Sequence, residues 1–249
     1  MRGGVADDAL VAVFMWGEQT QLNGQRQDFP RLVLLAGAAV KIVAGGGIEG
    51  CGIVSQPGLD TPQKLRGTTL GTFQMDSLEV MAYDWLRANG IGFDEATVRY
   101  MGSTPETVEA FKAGALDWIC TIEPYLTGLA RDVAGAHVLS RGHDIYGAGY
   151  TDCVITAQRA ILERDPAAVK AVIKALMKAQ NAFETEREQV LSQLVGSYYK
   201  TSLENARVAA DHQPVKVDAR DQTDFILDRT DSLREMGYSA FAEQESLAG

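Results

Sequence analysis

The sequence predicts a two-lobed α/β fold with mostly parallel sheets and a helical C-terminal tail. Three observations predict it. From Thr61 to Ser140 short apolar runs alternate with segments of helical periodicity, and strands alternating with helices build a parallel sheet covered on both faces. After Tyr150 one apolar run, Asp152–Ala157, is followed by almost nothing but helix-forming sequence. The tail helices need a sheet to cover, and one strand does not make one. The missing strands have to come from the N-terminal segment, where Ala9–Phe14, Leu32–Leu35 and Val40–Val43 are candidates. The chain is therefore expected to start one lobe, build a second, and return.

The elements follow in order. Thr61-Pro62 starts a helix with a capping hydroxyl and a proline at the first helical position. Thr69–Phe73 is a short strand, and Leu78, Met81, Ala82, Trp85 and Leu86 then recur at helical spacing until Asn89-Gly90 stops the helix. Val98–Met101 is the next strand, and Thr104-Pro105 opens a helix through Val108 and Phe111. A third strand at Asp117–Ile122, a third helix at Pro124–Ala130 and a fourth strand at Ala136–Leu139 complete the region. Asp165-Pro166 opens the tail, whose first apolar face is Val169, Val172, Ile173, Leu176 and Met177. Leu191, Leu194, Val195 and Tyr198 mark a second helix, with two more at Ser202–Asp211 and Gln222–Met236. Turn-forming residues at Gln56-Pro57-Gly58 and Tyr146–Gly149 suit two lobe crossings. The expected division is thus 1–57 for the first part of lobe 1, 58–145 for lobe 2, and 146–249 for the rest of lobe 1.

Composition narrows the function. A formal net charge of -10 and a pI near 4.8 repel phosphate backbones and anionic headgroups, so nucleic-acid and peripheral-membrane binding are disfavoured. No run reaches the roughly 20 apolar residues that span a bilayer, and Asp7 and Asp8 stand where a signal peptide would carry positive charge. Cys51, Cys120 and Cys153 are far apart in apolar runs, which reads as buried free thiols. His137, His143 and His212 are scattered. Neither a metal site nor a nucleophile–base pair is expected, and no cofactor. Trp85 and Trp118 read as core.

Several segments, in this order, resemble the NMT1/THI5-like family of nitrate/sulfonate/taurine-type substrate-binding proteins. They are Ala39–Gly47 followed by a short strand and a crossing, Leu65-Arg66-Gly67 with its strand, and Gln74–Ser77 opening a helix. Ala113–Asp117 followed by Ile122-Glu123-Pro124-Tyr125 is the most specific piece, and a helical tail with Gln213-Pro214 completes the set. The resemblance runs from about Leu32 to Tyr238. It implies a type II periplasmic-binding-protein-like fold. It also implies a periplasmic protein, monomeric, that binds a small molecule and delivers it to an ABC transporter permease. Gly3–Asp7 resembles the family's second strand, while 8–30 match poorly. Met1 is therefore expected not to be the natural start, a strand–helix unit and an export signal being expected upstream.

Ligands of open parallel sheets sit outside the carboxyl ends of the strands, which selects the candidate binding residues. Gln74, Asp76 and Ser77 follow the first strand of the middle lobe. Gln74 and Ser77 are uncharged hydrogen-bonders, whereas Asp76-Ser77-Leu78-Glu79 has the form of a capping box, so Asp76 is either a cap or a contact. Glu123 is either a solvated neighbour of the helix start or, as the resemblance implies, part of the site with Tyr125. Gly46 and Gly47 read either as a flexible turn or as a loop that lets backbone approach a ligand. Tyr150 and Asp152 border the return crossing and read equally as hinge or contact. No Lys or Arg is among them, so a neutral ligand or one with a nitrogen donor is expected. The alternative is an enzyme on the same fold, like the family's pyrimidine-precursor synthases. A ligand-sensing regulatory domain is a third reading, disfavoured because no DNA-binding segment is attached.

Overall fold

Seven strands are described in the computed structural model, which covers residues 40–74 and 76–238. They are β1 (Val40–Ile48), β2 (Cys51–Ser55), β3 (Thr69–Thr72), β4 (Thr97–Tyr100), β5 (Trp118–Ile122), β6 (His137–Ser140) and β7 (Thr151–Gln158). The strands expected at Ala9–Phe14 and Leu32–Leu35 lie outside the described residues. The α-helices are α1 (Ser77–Ala88), α2 (Thr104–Lys112), α3 (Tyr125–Asp132), α4 (His143–Tyr146), α5 (Arg159–Arg164), α6 (Pro166–Thr185), α7 (Arg187–Leu194), α8 (Leu203–His212) and α9 (Thr223–Glu235).

One sheet has five strands in the order β4-β3-β5-β2-β6, and the other is the pair β1-β7. Mostly parallel sheets were expected, and here the expectation is corrected. β3 pairs parallel with β4 and β5, but β2 runs antiparallel to β5 and β6, and β1 antiparallel to β7. The reason lies in the connections. Parallel neighbours need a long crossover, whereas β2 follows β1 after only Glu49 and Gly50 and so enters the sheet from its opposite end.

The strand Cys51–Ser55 falls before the expected division at 57/58, yet it lies inside the five-stranded sheet, between β5 and β6. Glu49 and Gly50 both have positive φ, 60 and 80 respectively.

β5 reads Trp-Ile-Cys-Thr-Ile and is buried throughout, as a central strand must be when both faces are covered. Its side chains alternate between two cores. Trp118, Cys120 and Ile122 join Leu78, Met81, Ala82, Trp85 and Leu86 of α1. Ile119 joins Val108 and Phe111 of α2 and Leu126 and Leu129 of α3. Trp85 and Trp118 are core, as expected.

The β1–β7 pair is covered by α5 and α6, through Ile155 against Ile173 and Leu176, and Ala157 against Ile161 and Val169. The helix expected at Asp165-Pro166 forms with Asp165 Oδ1 accepting from the Ala168 amide at 3.0 Å and proline in its first turn. The later tail helices reach across. α8 packs on α3, with Arg131 bonded to Asn205 at 2.9 Å and paired with Glu204, and Leu233 of α9 packs on Val80 of α1. Among the described residues no helix is long and apolar enough to cross a membrane.

Candidate functional site

The carboxyl ends of β3, β5 and β6 lie along one edge of the five-stranded sheet, with the start of β2 between β5 and β6. This edge brings together Gln74, Asp76 and Ser77 after β3 with Glu123 and Tyr125 after β5. Sequence reasoning selected both loops, and β3 and β5 are neighbours.

Asp76 is buried and caps α1, its Oδ1 accepting from the Leu78 amide at 2.9 Å. Glu79, the other member of the capping pattern, accepts from Tyr100 Oη at 2.6 Å and from Tyr238 Oη at 2.9 Å. Gln74 is exposed and Ser77 half-buried at the first position of the helix.

Glu123 is not the solvated residue of one reading. It is 1% exposed. Its carboxylate accepts from the Thr127 amide at 3.0 Å, from the Thr127 hydroxyl at 2.9 Å and from Arg141 Nη1 at 2.6 Å. Three charge-assisted bonds replace the water a carboxylate loses on burial. They also fix the first turn of α3, on which half-buried Tyr125 packs against both cores.

Gly46 and Gly47 are corrected from turn or loop to strand, near the carboxyl end of β1. Close approach explains Gly45 and Gly46, though not Gly47, and the approaching groups belong to the protein. The Gly45 amide donates to the Val217 carbonyl at 2.7 Å and that of Ile48 to Pro214 at 3.0 Å, so residues 214–217 close the free edge of β1. A Cβ on Gly45 would lie 2.4 Å from the Lys216 carbonyl oxygen, and one on Gly46 would lie 2.5 Å from Cys153 Sγ.

Tyr150 and Asp152 sit at the crossing. The Glu49 amide donates to the Tyr150 carbonyl at 2.9 Å, and Glu49 Oε1 accepts from the Gly149 amide at 2.6 Å. The outgoing and returning chains are thus bonded side by side. Tyr150 Oη donates to the Arg141 carbonyl at 2.9 Å and lies 3.3 Å from that of Cys51. Asp152 is 2% exposed and accepts from Gln213 Nε2 at 2.6 Å and from the Cys51 thiol at 3.0 Å.

Residues missed from the sequence are Glu49, Cys51, Arg141, His143 and Gln213. His143 Nε2 lies 2.8 Å from Glu49 Oε2. Arg141 was within reach, because it follows a predicted strand and the rule that selected Gln74 and Glu123 applies to it equally. Its presence changes the charge expected at this edge, since Glu123 is neutralised by an ion pair. Glu49, Cys51 and Gln213 gave no local signal. Their partners are remote in sequence.

The three thiols are free and buried, as expected. Burial pushes Cys51 well above its ordinary value of 9.0, and the Asp152 carboxylate adds to the shift. Burial also raises Cys120, helped by Asp76, and Cys153, helped by Asp152. Below pH 9 these thiols are protonated in folded and unfolded chains alike, and their contribution to stability is complete. Above it the unfolded chain ionises first, so stability is lost as pH rises, by about 1.4 kcal/mol per pH unit for each group. The melting temperature should fall above about pH 9, and Cys120→Ser should reduce the fall. A melting temperature indifferent to alkaline pH in both proteins would contradict this account. Among the described residues no group of three or more His, Cys, Asp and Glu could hold a metal ion.

A model of the NMT1-like family matches residues 17–195, well over half of the 249-residue chain. The chain belongs to the NMT1-like family. No curated protein matches this family member in sequence. Among solved structures, the alkanesulfonate-binding protein SsuA from Xanthomonas axonopodis pv. citri, bound to MOPS, superposes with a TM-score of 0.70 at 19% identity, covering 85% of this chain and 72% of that one. The periplasmic aliphatic sulphonate binding protein SsuA from Escherichia coli gives 0.68 at 19%, covering 88% and 74%. The desulfurization enzyme DSZB gives 0.61 at 12%, covering 87% and 78%. At these identities the likeness shows the fold. It is the two-domain α/β fold of periplasmic binding proteins, and NMT1-like chains share it with binding proteins and at least one enzyme.

Proposed function

We propose that this NMT1-like protein is the substrate-binding component of an ABC importer, holding a small molecule between its lobes and delivering it to a permease. The observation that carries the reading is the paired crossing. Two sheet-based units are joined by neighbouring strands at Glu49–Gly50 and Gly147–Tyr150, and the loop edge of the larger sheet, bearing Gln74, Ser77 and Tyr125, adjoins that joint. Two lobes on such a joint bind by closing, because the closed state makes contacts the open one does not. Solved proteins of the same fold are described as sulfonate-binding, one of them as periplasmic, which supports a periplasmic receptor.

An enzyme on this fold is the second reading, favoured only by the likeness to DSZB. The thiols argue against a cysteine nucleophile in such an enzyme, since that chemistry needs a thiolate and burial raises all three.

The ligand proposed is neutral or bears a nitrogen donor. Gln74, Ser77 and Tyr125 are uncharged hydrogen-bonders, and the Arg141 guanidinium at the edge is already paired with Glu123. Thermal-shift screening should compare neutral heterocycles such as cytosine and uracil with alkanesulfonates. A ligand at 100 times its Kd stabilises by about 2.7 kcal/mol. A sulfonate hit would reject the ligand class and keep the receptor, whereas turnover of any hit would reject the receptor. For the ligand found, Tyr125→Ala should weaken binding by about 1–3 kcal/mol if the ring stacks on it. Unchanged affinity in calorimetry would reduce Tyr125 to a packing residue.

A further inference from the structure

The chain passes between the lobes once more after α8. It runs along the edge of β1 at 214–217, and then α9 lies on α1 of the five-stranded lobe. We propose that α9 is a strap that limits how far the two lobes separate, fastened at Asp84 and at the rings beside the returning crossing.

Asp84, on α1, is 5% exposed. It accepts from Ser232 Oγ at 2.9 Å, from Tyr146 Oη at 2.9 Å, from Arg87 at 3.2 Å, and from Arg229. Two of those donors, Arg229 and Ser232, belong to α9, and a third, Tyr146, ends α4 just before the crossing. The Arg229 guanidinium also lies over the Tyr146 ring, 4.3 Å from its centroid. Phe225, one turn earlier, meets Tyr146 at 5.2 Å and Tyr150 at 5.9 Å between centroids. Gln222 accepts from the Thr151 hydroxyl, at the start of β7, at 2.9 Å. The first turn of α9 therefore grips the returning strand, and its later turns grip the opposite lobe.

Between Tyr146 and Tyr150 the backbone turns at Gly147 and Gly149, with φ of 75 and 77. Glycine keeps this region of φ accessible at little cost, so rotation there is the least hindered way for β7 to swing from the five-stranded sheet. Such a swing moves Tyr150 and Thr151 away from Tyr146 and Asp84. α9 cannot follow both. It must release Phe225 and Gln222 from one side, or Arg229 and Ser232 from the other. The lobes are thus held by α9 as well as by the two crossing strands and by α8 on α3, and the α9 contact can be loosened without touching the candidate binding loops. The inference does not depend on what the protein binds.

The test is ligand-free. Spin labels at Glu109→Cys on α2 and Lys174→Cys on α6, both exposed positions, report the interlobe distance by double electron–electron resonance. The parent protein should give one narrow distance. Arg229→Met should add a longer, broader population and accelerate amide exchange across Thr223–Glu235. Phe225→Ala leaves Asp84 all its donors, and it should do the same if Arg229→Met fails to fold. Faster exchange in α9 with an unchanged distance would make α9 a cover and not a strap, and would overturn the proposal. So would a parent distribution already as broad as that of the variants, or α9 amides that neither substitution affects.

Discussion

Replacing Arg141 with leucine is expected to cost about 3–5 kcal/mol of stability, because it leaves the Glu123 carboxylate buried without its cation. The Glu123 side chain has no exposure, and Arg141 is mostly covered. The Thr127 amide and hydroxyl would still donate to Glu123, so the loss should fall toward the lower end of that range. The double variant Arg141→Leu/Glu123→Leu removes both charges and should recover part of it, since a buried pair often contributes little over an apolar replacement. Urea denaturation of the four proteins of that cycle measures the coupling. A single Arg141→Leu that unfolds at the parent's midpoint would mean that solvent reaches Glu123. If the ligand-binding reading holds, the same variant should also disturb Tyr125, because Glu123 fixes the turn that carries it.

This pair shows where the sequence was readable and where it was not. The helix α1 and its cap were legible because every determinant is local: apolar residues at helical spacing from Leu78 to Leu86, Asp76 before them and Asn89-Gly90 after them. β5 was legible as an apolar run between turn signals. The lobe that holds β2 was not. Cys-Gly-Ile-Val-Ser is buried throughout and would read the same in either sheet, and only the long-range pairing with β5 and β6 decides. Gly45–Gly47 misled for a related reason. Glycine is a poor strand former, and what makes it fit at Gly45 and Gly46 is close approach by residues 214–217 and Cys153, far along the chain. The same limit applies to α8 and α9. Periodicity shows that a helix buries one face and does not say against what.

The second large effect is expected at Phe111. Phe111→Ala should cost about 3–5 kcal/mol through lost burial and the cavity left behind. The ring is fully buried among Val54, Leu116, Ile119, Leu126 and Leu129, which come from β2, β5, α3 and the turn before β5. Backbone contacts hem it in as well. Its own carbonyl accepts from Gln56 Nε2 at 2.6 Å, and the same amide reaches the Leu116 carbonyl at 3.2 Å, so α2 cannot shift inward freely to fill the space. For a chain of this size the melting temperature should drop by roughly 2–4 °C per kcal/mol. Tyr198→Ser, at an 81% exposed tyrosine, is the matched control and should stay within about 0.5 kcal/mol. The shape of the transition carries further information. The five-stranded sheet is bound to the β1–β7 pair through Glu49, through α8 on α3 and through α9 on α1, so the lowered transition should remain single. Calorimetry that splits into two transitions in Phe111→Ala would show that those ties are too weak to couple the lobes, and it would weaken the case for α9 as a strap as well.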